Sequence, residues 1–249
     1  RTPFSLSGKI AVITGFGTPK DAMSNGGAIA QLFAKQGAVI EGLDISEEDA
    51  QNTVEAIIKA GGQAFFTSGD ATVEADVDSW IKSVLQRHGR IDILINNVGQ
   101  SERLTPEEAD TNIWRAQLAL NLDSAFYCTR AVLPAMINAS KGAIVNISSV
   151  AGIRHLGKPQ IGYNTAKAAL QQLTKTSAAL HAKAGIRMNC VLPGLMNTPM
   201  VRRMAQKYAG GDYEGYVAKR HKQVPMGHMG APEDVAHAAL YWPLMRLPM

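Results

Sequence analysis

The chain has 249 residues, 46% of them hydrophobic, which suffices for one sizeable core, so a single domain over 1–249 is expected. Its formal charge of +4 comes from basic residues interleaved with acidic ones, unlike the contiguous basic face of a nucleic-acid binder. No run of about 18 apolar residues suits a bilayer span, and the opening RTPFSLSGK lacks the apolar stretch of a secretory signal, so a cytoplasmic protein with no membrane partner is expected.

KIAVIT (9–14) reads as a β-branched strand running into Thr14-Gly15, and AIAQLFAKQ continues a helix placed at 26–36. The connection GFGTPKDAMSNGG is longer than a tight turn needs, but its glycines let backbone approach an anion at the helix N-terminus. AVIEGL (38–43) is the second strand, closed by Asp44, with a helix over 47–60. An acid about twenty residues past the last glycine is placed to bind both ribose hydroxyls and repel a 2′-phosphate. The rival role for Asp44, capping the next helix, suits Ser46 better. QAFFTS (63–68), a helix over 73–88, IDILIN (91–96), a helix over about 107–137 and GAIVNIS (142–148) follow. A helix over 161–184, RMNCVL (187–192), a long segment and a last helix over 231–241 complete the series, and Pro243 is expected to break that last helix. Strand-helix alternation predicts a doubly wound parallel sheet with chemistry at the carboxyl ends of its strands.

Tyr163 and Lys167 stand four residues apart, on one face of a helix. With six tyrosines in the chain the pair is weak evidence alone. Its neighbours strengthen it: NNVG (96–99), Ser148-Ser149 and LPGLMNTPM (192–200) each follow a strand, and Asn121 lies in a flanking helix. Cys128 and Cys190 lie far apart in apolar stretches and read as small core residues in a reducing compartment. The six histidines show no zinc-ligand spacing, so no metal site is expected.

In this order the residues resemble the short-chain dehydrogenase/reductase family, from residue 7 to about 241. The family's TGxxxGxG turn corresponds to Thr14, Gly15 and Gly26, with Ser24 at the middle glycine and about five residues added between. The resemblance implies a Rossmann-like fold with catalytic Asn121, Ser149, Tyr163 and Lys167. It implies dinucleotide contacts from Gly15, Ser24, Asn25, Gly26, Asp44, Ile45, Asp70, Ala71, Asn97, Val98, Gly99, Pro193, Gly194 and Thr198, together with Tyr163 and Lys167. NAD is favoured through Asp44; Lys20 in the stretched turn keeps NADP open. A homodimer or homotetramer through the helices at 107–137 and 161–184 is also implied. Three features depart from the family: the stretched turn, a Ser149-to-Tyr163 spacing one residue longer, which leaves Ser148 as a rival, and an atypical tail (242–249) in place of a seventh strand.

The chemistry expected is hydride transfer between a secondary alcohol and a ketone. A phenol near pKa 10 needs a neighbouring cation before it serves as acid and base, and Lys167 with the oxidised nicotinamide supplies that field. Ser149 donates to the substrate oxygen. Asn121 resembles the family residue that holds a water linking Lys167 to solvent. Substrate specificity is expected in the loops Gln100–Leu104 and Val150–Gln160 and in the substrate-binding insertion 195–227, where Arg202, Arg203, Lys207, Lys219, Arg220 and Lys222 outnumber Asp212 and Glu214; the excess suits an anionic substrate or a solvated helix face. The rival to an enzyme acting on a small alcohol or ketone is a catalytically silent nucleotide-binding or scaffold protein.

Overall fold

A computed structural model describes residues 4–244. Six strands, β1 (Ile10–Thr14), β2 (Val39–Asp44), β3 (Gln63–Ser68), β4 (Ile93–Asn96), β5 (Gly142–Ile147) and β6 (Ile186–Val191), form one sheet in the order β3-β2-β1-β4-β5-β6. Every pairing is parallel. Strand order reverses between β1 and β4, and this opens the crevice where doubly wound sheets bind ligands. The helices are α1 (Asn25–Lys35), α2 (Glu47–Lys59), α3 (Glu74–His88), α4 (Thr111–Leu118), α5 (Ser124–Asn138), α6 (Ile161–His181), α7 (Pro199–Tyr208), α8 (Tyr213–His221) and α9 (Pro232–Leu244).

Alternation along the strands divides the core. Ala11 and Ile13 of β1, with Ile93 and Ile95 of β4, face Ile29, Phe33, Ile57 and Leu240 from α1, α2 and α9. Ile10, Val12 and Leu94 face Trp80, Val84, Cys128 and Met136 from α3 and α5. Each such side chain, taken wholly out of water, contributes roughly 1.5–3 kcal/mol. A third, smaller cluster holds α7 and α8 together through Val201, Met204, Ala205 and Tyr216, with Met229. Within the expected insertion two helices therefore form around their own apolar seam, and Thr198 with Pro199 begins the first of them, Pro occupying the opening position where its missing N–H costs nothing.

Two expectations need correction. The helix read over 107–137 is not continuous: Asp110 caps α4 by accepting the Asn112 amide at 2.7 Å, so the helix starts at Thr111. Between α4 and α5 the chain makes a π turn over Ala119–Asp123. There the Asn121 side-chain amide donates to the Gln117 carbonyl at 2.9 Å, competing with the backbone ladder. Pro243 does not break the last helix, which continues to Leu244. The Arg187 guanidinium bonds the terminal carbonyls of Trp242 and, at 2.9 Å, Pro243, supplying partners where helical ones run out. Among the described residues the sheet has six strands; of the expected atypical tail, 245–249 lie outside the described residues.

Candidate active site

The stretched turn is stapled at its base. Ser24 caps α1, accepting the Gly27 amide at 2.9 Å and donating to the Gly17 carbonyl at 2.7 Å. Thr18 bonds the Ser24 hydroxyl at 2.9 Å and accepts its amide at 3.2 Å, while its own amide binds the Asp49 carbonyl at 3.0 Å. Residues 19–23 therefore leave and return at one point, and Gly17 meets Ser24 as though adjacent. Gly15 has φ +61°, a left-handed conformation suited to glycine. A Cβ on Gly26 would stand 2.0 Å from the Gly15 carbonyl, so only glycine permits this approach of helix to strand.

Asp44 ends β2 with both oxygens occupied by backbone: Gly17 donates to one at 2.8 Å and Ser46 to the other at 3.0 Å. Ser46, not Asp44, caps α2 by accepting the Asp49 amide at 3.3 Å. Burial, opposed by Ser46 and aided by the charges of Asp44 and Glu48, raises the nearby Asp49 carboxyl. Asp70 accepts both the amide and hydroxyl of Thr72 at 2.8 Å. Ala71 is buried, and Ile45, 74% exposed, presents an apolar face beside Asp44.

Beyond β4, Thr14 accepts the amides of Asn97 at 3.1 Å and Val98 at 3.4 Å, and the Asn97 side chain donates to the Gly15 carbonyl at 2.8 Å. The two neighbouring turns are thereby fixed to each other. Asn121 donates to the Gln100 carbonyl at 2.9 Å and accepts its amide at 3.1 Å. A Cβ on Gly99 would stand 2.8 Å from Lys167 Nζ and 2.9 Å from Asn121 Oδ1, so Gly99 is the gap through which these side chains approach the cleft.

Tyr163 and Lys167 rise from the first turns of α6, the ammonium 5.7 Å from the phenol ring centroid. Lys167 is 3% exposed and donates to the Ile147 carbonyl at 3.0 Å. Burial pushes its ammonium down to about 8. Burial also pushes the Tyr163 hydroxyl up, partly offset by a hydrogen bond with Ser149. Ser149 accepts the Ala151 amide at 3.1 Å. Its rival Ser148 is spent on structure, donating to the Lys167 carbonyl at 2.9 Å and accepting from Gln171 at 3.1 Å. The serine hydroxyl presented to the phenol is therefore that of Ser149.

One cleft brings together Asn25, Asn97, Gly99, Ser149, Tyr163, Lys167, Pro193, Gly194 and Thr198. Gly15, Ser24, Gly26 and Val98 form the turns behind it; Asp44, Ile45, Asp70 and Ala71 lie farther along the sheet edge, at the ends of β2 and β3. Sequence reasoning missed Gln171, although Tyr163, Lys167 and Gln171 repeat at helical spacing on one face. Ser101 from the loop at 100–104 and Lys158 and Gln160 from the loop at 150–160, both expected to bear on substrate, line the same cleft. Of the six basic residues counted in the insertion, only Arg220 lines it; Lys207 pairs with Glu102 at 2.5 Å and Arg202 stacks on Tyr213 at 4.9 Å. Cys128 lies in the core, its thiol pushed up to about 12 by burial, whereas Cys190 is only partly buried and contacts the Thr174 hydroxyl at 3.1 Å. Among the described residues no three of His, Cys, Asp and Glu gather as metal ligands, and no helix is long and apolar enough to cross a membrane.

The residues suit a dinucleotide. The first amides of α1 have no intrahelical acceptor, and Gly15 and Gly26 bring bare backbone beside them, with no room for a Cβ on Gly26. Such a nest of free donors at a positive dipole end fits a pyrophosphate.

Comparison with known proteins agrees with this geometry. The model of the Enoyl-(Acyl carrier protein) reductase family matches residues 21–242. The 3-oxoacyl-[acyl-carrier-protein] reductase FabG of Thermotoga maritima is 33% identical over 237 residues, 95% of this chain and 90% of its own. A protein from Burkholderia xenovorans described as a short-chain dehydrogenase/reductase is 40% identical with TM-score 0.91, covering 96% of this chain and 90% of that one. L-Sorbose reductase of Gluconobacter frateurii, solved with NADPH and L-sorbose, is 31% identical with TM-score 0.87, covering 96% and 90%. The chain belongs to the short-chain dehydrogenase/reductase family and is an NAD(P)-dependent oxidoreductase.

Proposed function

We propose that the protein interconverts a secondary alcohol and a ketone, with Tyr163 as the general acid–base and NAD(H) preferred over NADP(H). The observation that carries the reading is the convergence of the Tyr163 hydroxyl, the Ser149 hydroxyl and the Lys167 ammonium at one cleft wall. A bound nicotinamide supplies or accepts the hydride. Ser149 donates to the substrate oxygen and orients it toward the phenol. Tyr163, with its hydroxyl pushed up by burial, holds its proton at neutral pH and delivers it to the forming alkoxide. In the reverse direction the Lys167 cation favours the phenolate. Asn121 is bonded to the backbone of Gln100 and Gln117, so its role is to hold the loop after β4 against the end of α4 and the π turn that follows it.

The preference for NAD(H) rests on charge. A carboxylate has about four lone-pair sites; two amides occupy Asp44, leaving an acceptor on each oxygen for ribose hydroxyls. Asp44 and Asp49 together oppose a 2′-phosphate. Lys20 is exposed in the excursion, with Asp21 beside it. Exposed apolar residues on α5 and α6, Phe126, Ile137 and Leu180, support a homo-oligomer built through those helices.

The test is Tyr163→Phe with NADH and a panel of ketones. Turnover should fall by roughly 100- to 10,000-fold with NADH affinity unchanged. Near-full turnover in the variant would sink the mechanism.

A further inference from the structure

We propose that the outer end of the cleft receives the substrate's carboxylate on Arg220 and Lys158, so that the substrate is an oxo- or hydroxy-carboxylic acid with a hydrocarbon body. This rests on the oxidoreductase reading and adds the substrate class. Both cations line the cleft that contains Tyr163 and Ser149, although one comes from the loop before α6 and the other from the end of α8.

Arg220 is 8% exposed, its Nε is buried without a hydrogen-bond partner, and no acid pairs with it among the described residues. Arg103 stands behind, its Nε likewise without a partner. Aromatic faces hold these guanidinium groups: Arg103 lies 4.2 Å over Tyr208 and Arg220 lies 5.6 Å from the Tyr216 centroid. Arg103 also donates to the Tyr216 hydroxyl at 3.3 Å. Ring faces steady a cation while leaving its N–H groups unspent. Lys158 shares the strain: burial, and after it the charges of Arg220, Arg103 and Lys219, push its ammonium down to about 8.

The neighbouring acids are occupied elsewhere. Glu102 binds Lys207 at 2.5 Å and the Tyr208 hydroxyl at 3.1 Å. Asp212 caps α8 through the Gly215 amide at 2.9 Å, and Asp234 accepts the Ala231 amide at 2.8 Å. Buried positive charge without a protein counter-ion is costly unless a ligand anion completes it. That ligand is not the cofactor's 2′-phosphate, since Asp44 and Asp70 at the adenosine side are outside this lining. The planar fork of Arg220 matches a carboxylate bidentately. Leu156, Leu195, Met196, Met200 and Met204 give the remaining wall an apolar and adaptable surface for a hydrocarbon chain.

The test is a ligand-observed NMR titration of the full chain with hexanoate, hexanamide and hexyl phosphate. Hexanoate should bind roughly tenfold or more tightly than hexanamide. Arg220→Met and Lys158→Gln should each erase that preference while leaving hexanamide unchanged. Equal affinities, no binding of hexanoate, or a preference that both variants retain overturns the proposal. Tighter binding of hexyl phosphate by tenfold or more overturns the carboxylate assignment. If Arg220→Met does not fold, Lys158→Gln, at a partly exposed position, carries the test. None of these readouts needs turnover, so failure of the carboxylate site is distinguishable from failure of the Tyr163 mechanism.

Discussion

The two ends of the cleft are built on opposite principles. At the nucleotide end the polar side chains of the turns are spent on one another's turns, through Ser24, Thr18, Asp44, Thr14 and Asn97, and the donors left over are backbone amides at the start of α1. At the substrate end Arg103 and Arg220 keep buried donors without partners, and Lys158 has cations for neighbours. A saturated region holds a fixed shape for a ligand of fixed shape. An unsaturated one stores binding capacity for a ligand that completes it.

The sharpest way to break the nucleotide end is Gly26→Ala. Its Cβ would stand 2.0 Å from the Gly15 carbonyl, forcing α1 away from β1. NADH affinity should fall by tenfold or more and stability by roughly 1–3 kcal/mol, read by cofactor titration and urea unfolding; an unchanged affinity would mean that the close approach does not shape the site.

Lys167→Met probes the boundary between the two ends. The folded ammonium is pushed down to about 8, against about 10.4 in an unfolded chain. Between those values the unfolded state binds more protons, so this group makes stability rise with pH. Relative to the variant, wild type should gain stability from pH 8 to about 10.5. A flat difference across that window would contradict the burial of the charge.

Asp44→Ala should move the NADPH-to-NADH affinity ratio toward NADPH by roughly tenfold, about what one charge-assisted contact contributes. No movement in the ratio would leave Lys20, not Asp44, as the discriminating charge. The smallest effect expected is from Ser24→Ala, which removes a cap worth about 1 kcal/mol while keeping the helix. Chemical denaturation should show that loss, and a loss well above it would mean that the staple organises more than the turn.

Legibility in the sequence follows the same division. Strands such as IAVIT and ILIN are near-continuous apolar runs buried on both faces, so β1 and β4 were readable from residues alone. Tyr163 and Lys167 were readable because helical spacing places them on one face, and Gly15 and Gly26 because backbone approach demands glycine. The π turn was not readable, since it depends on the Asn121 side chain displacing a backbone bond. Nor was the persistence of α9 through Pro243, which depends on Arg187 from β6. Helices α7 and α8 stayed hidden because their apolar positions face each other and not the main core. Lys158 and Arg220 come from separate segments, and no local pattern announces that they meet.

The central claim, that a stapled and lengthened turn still forms a working dinucleotide site, is tested most directly by titrating the wild-type chain with NADH and NADPH and following protein fluorescence. Saturable NADH binding in the micromolar range, with NADPH markedly weaker, is the predicted result. Absence of saturable binding by either cofactor would contradict the account.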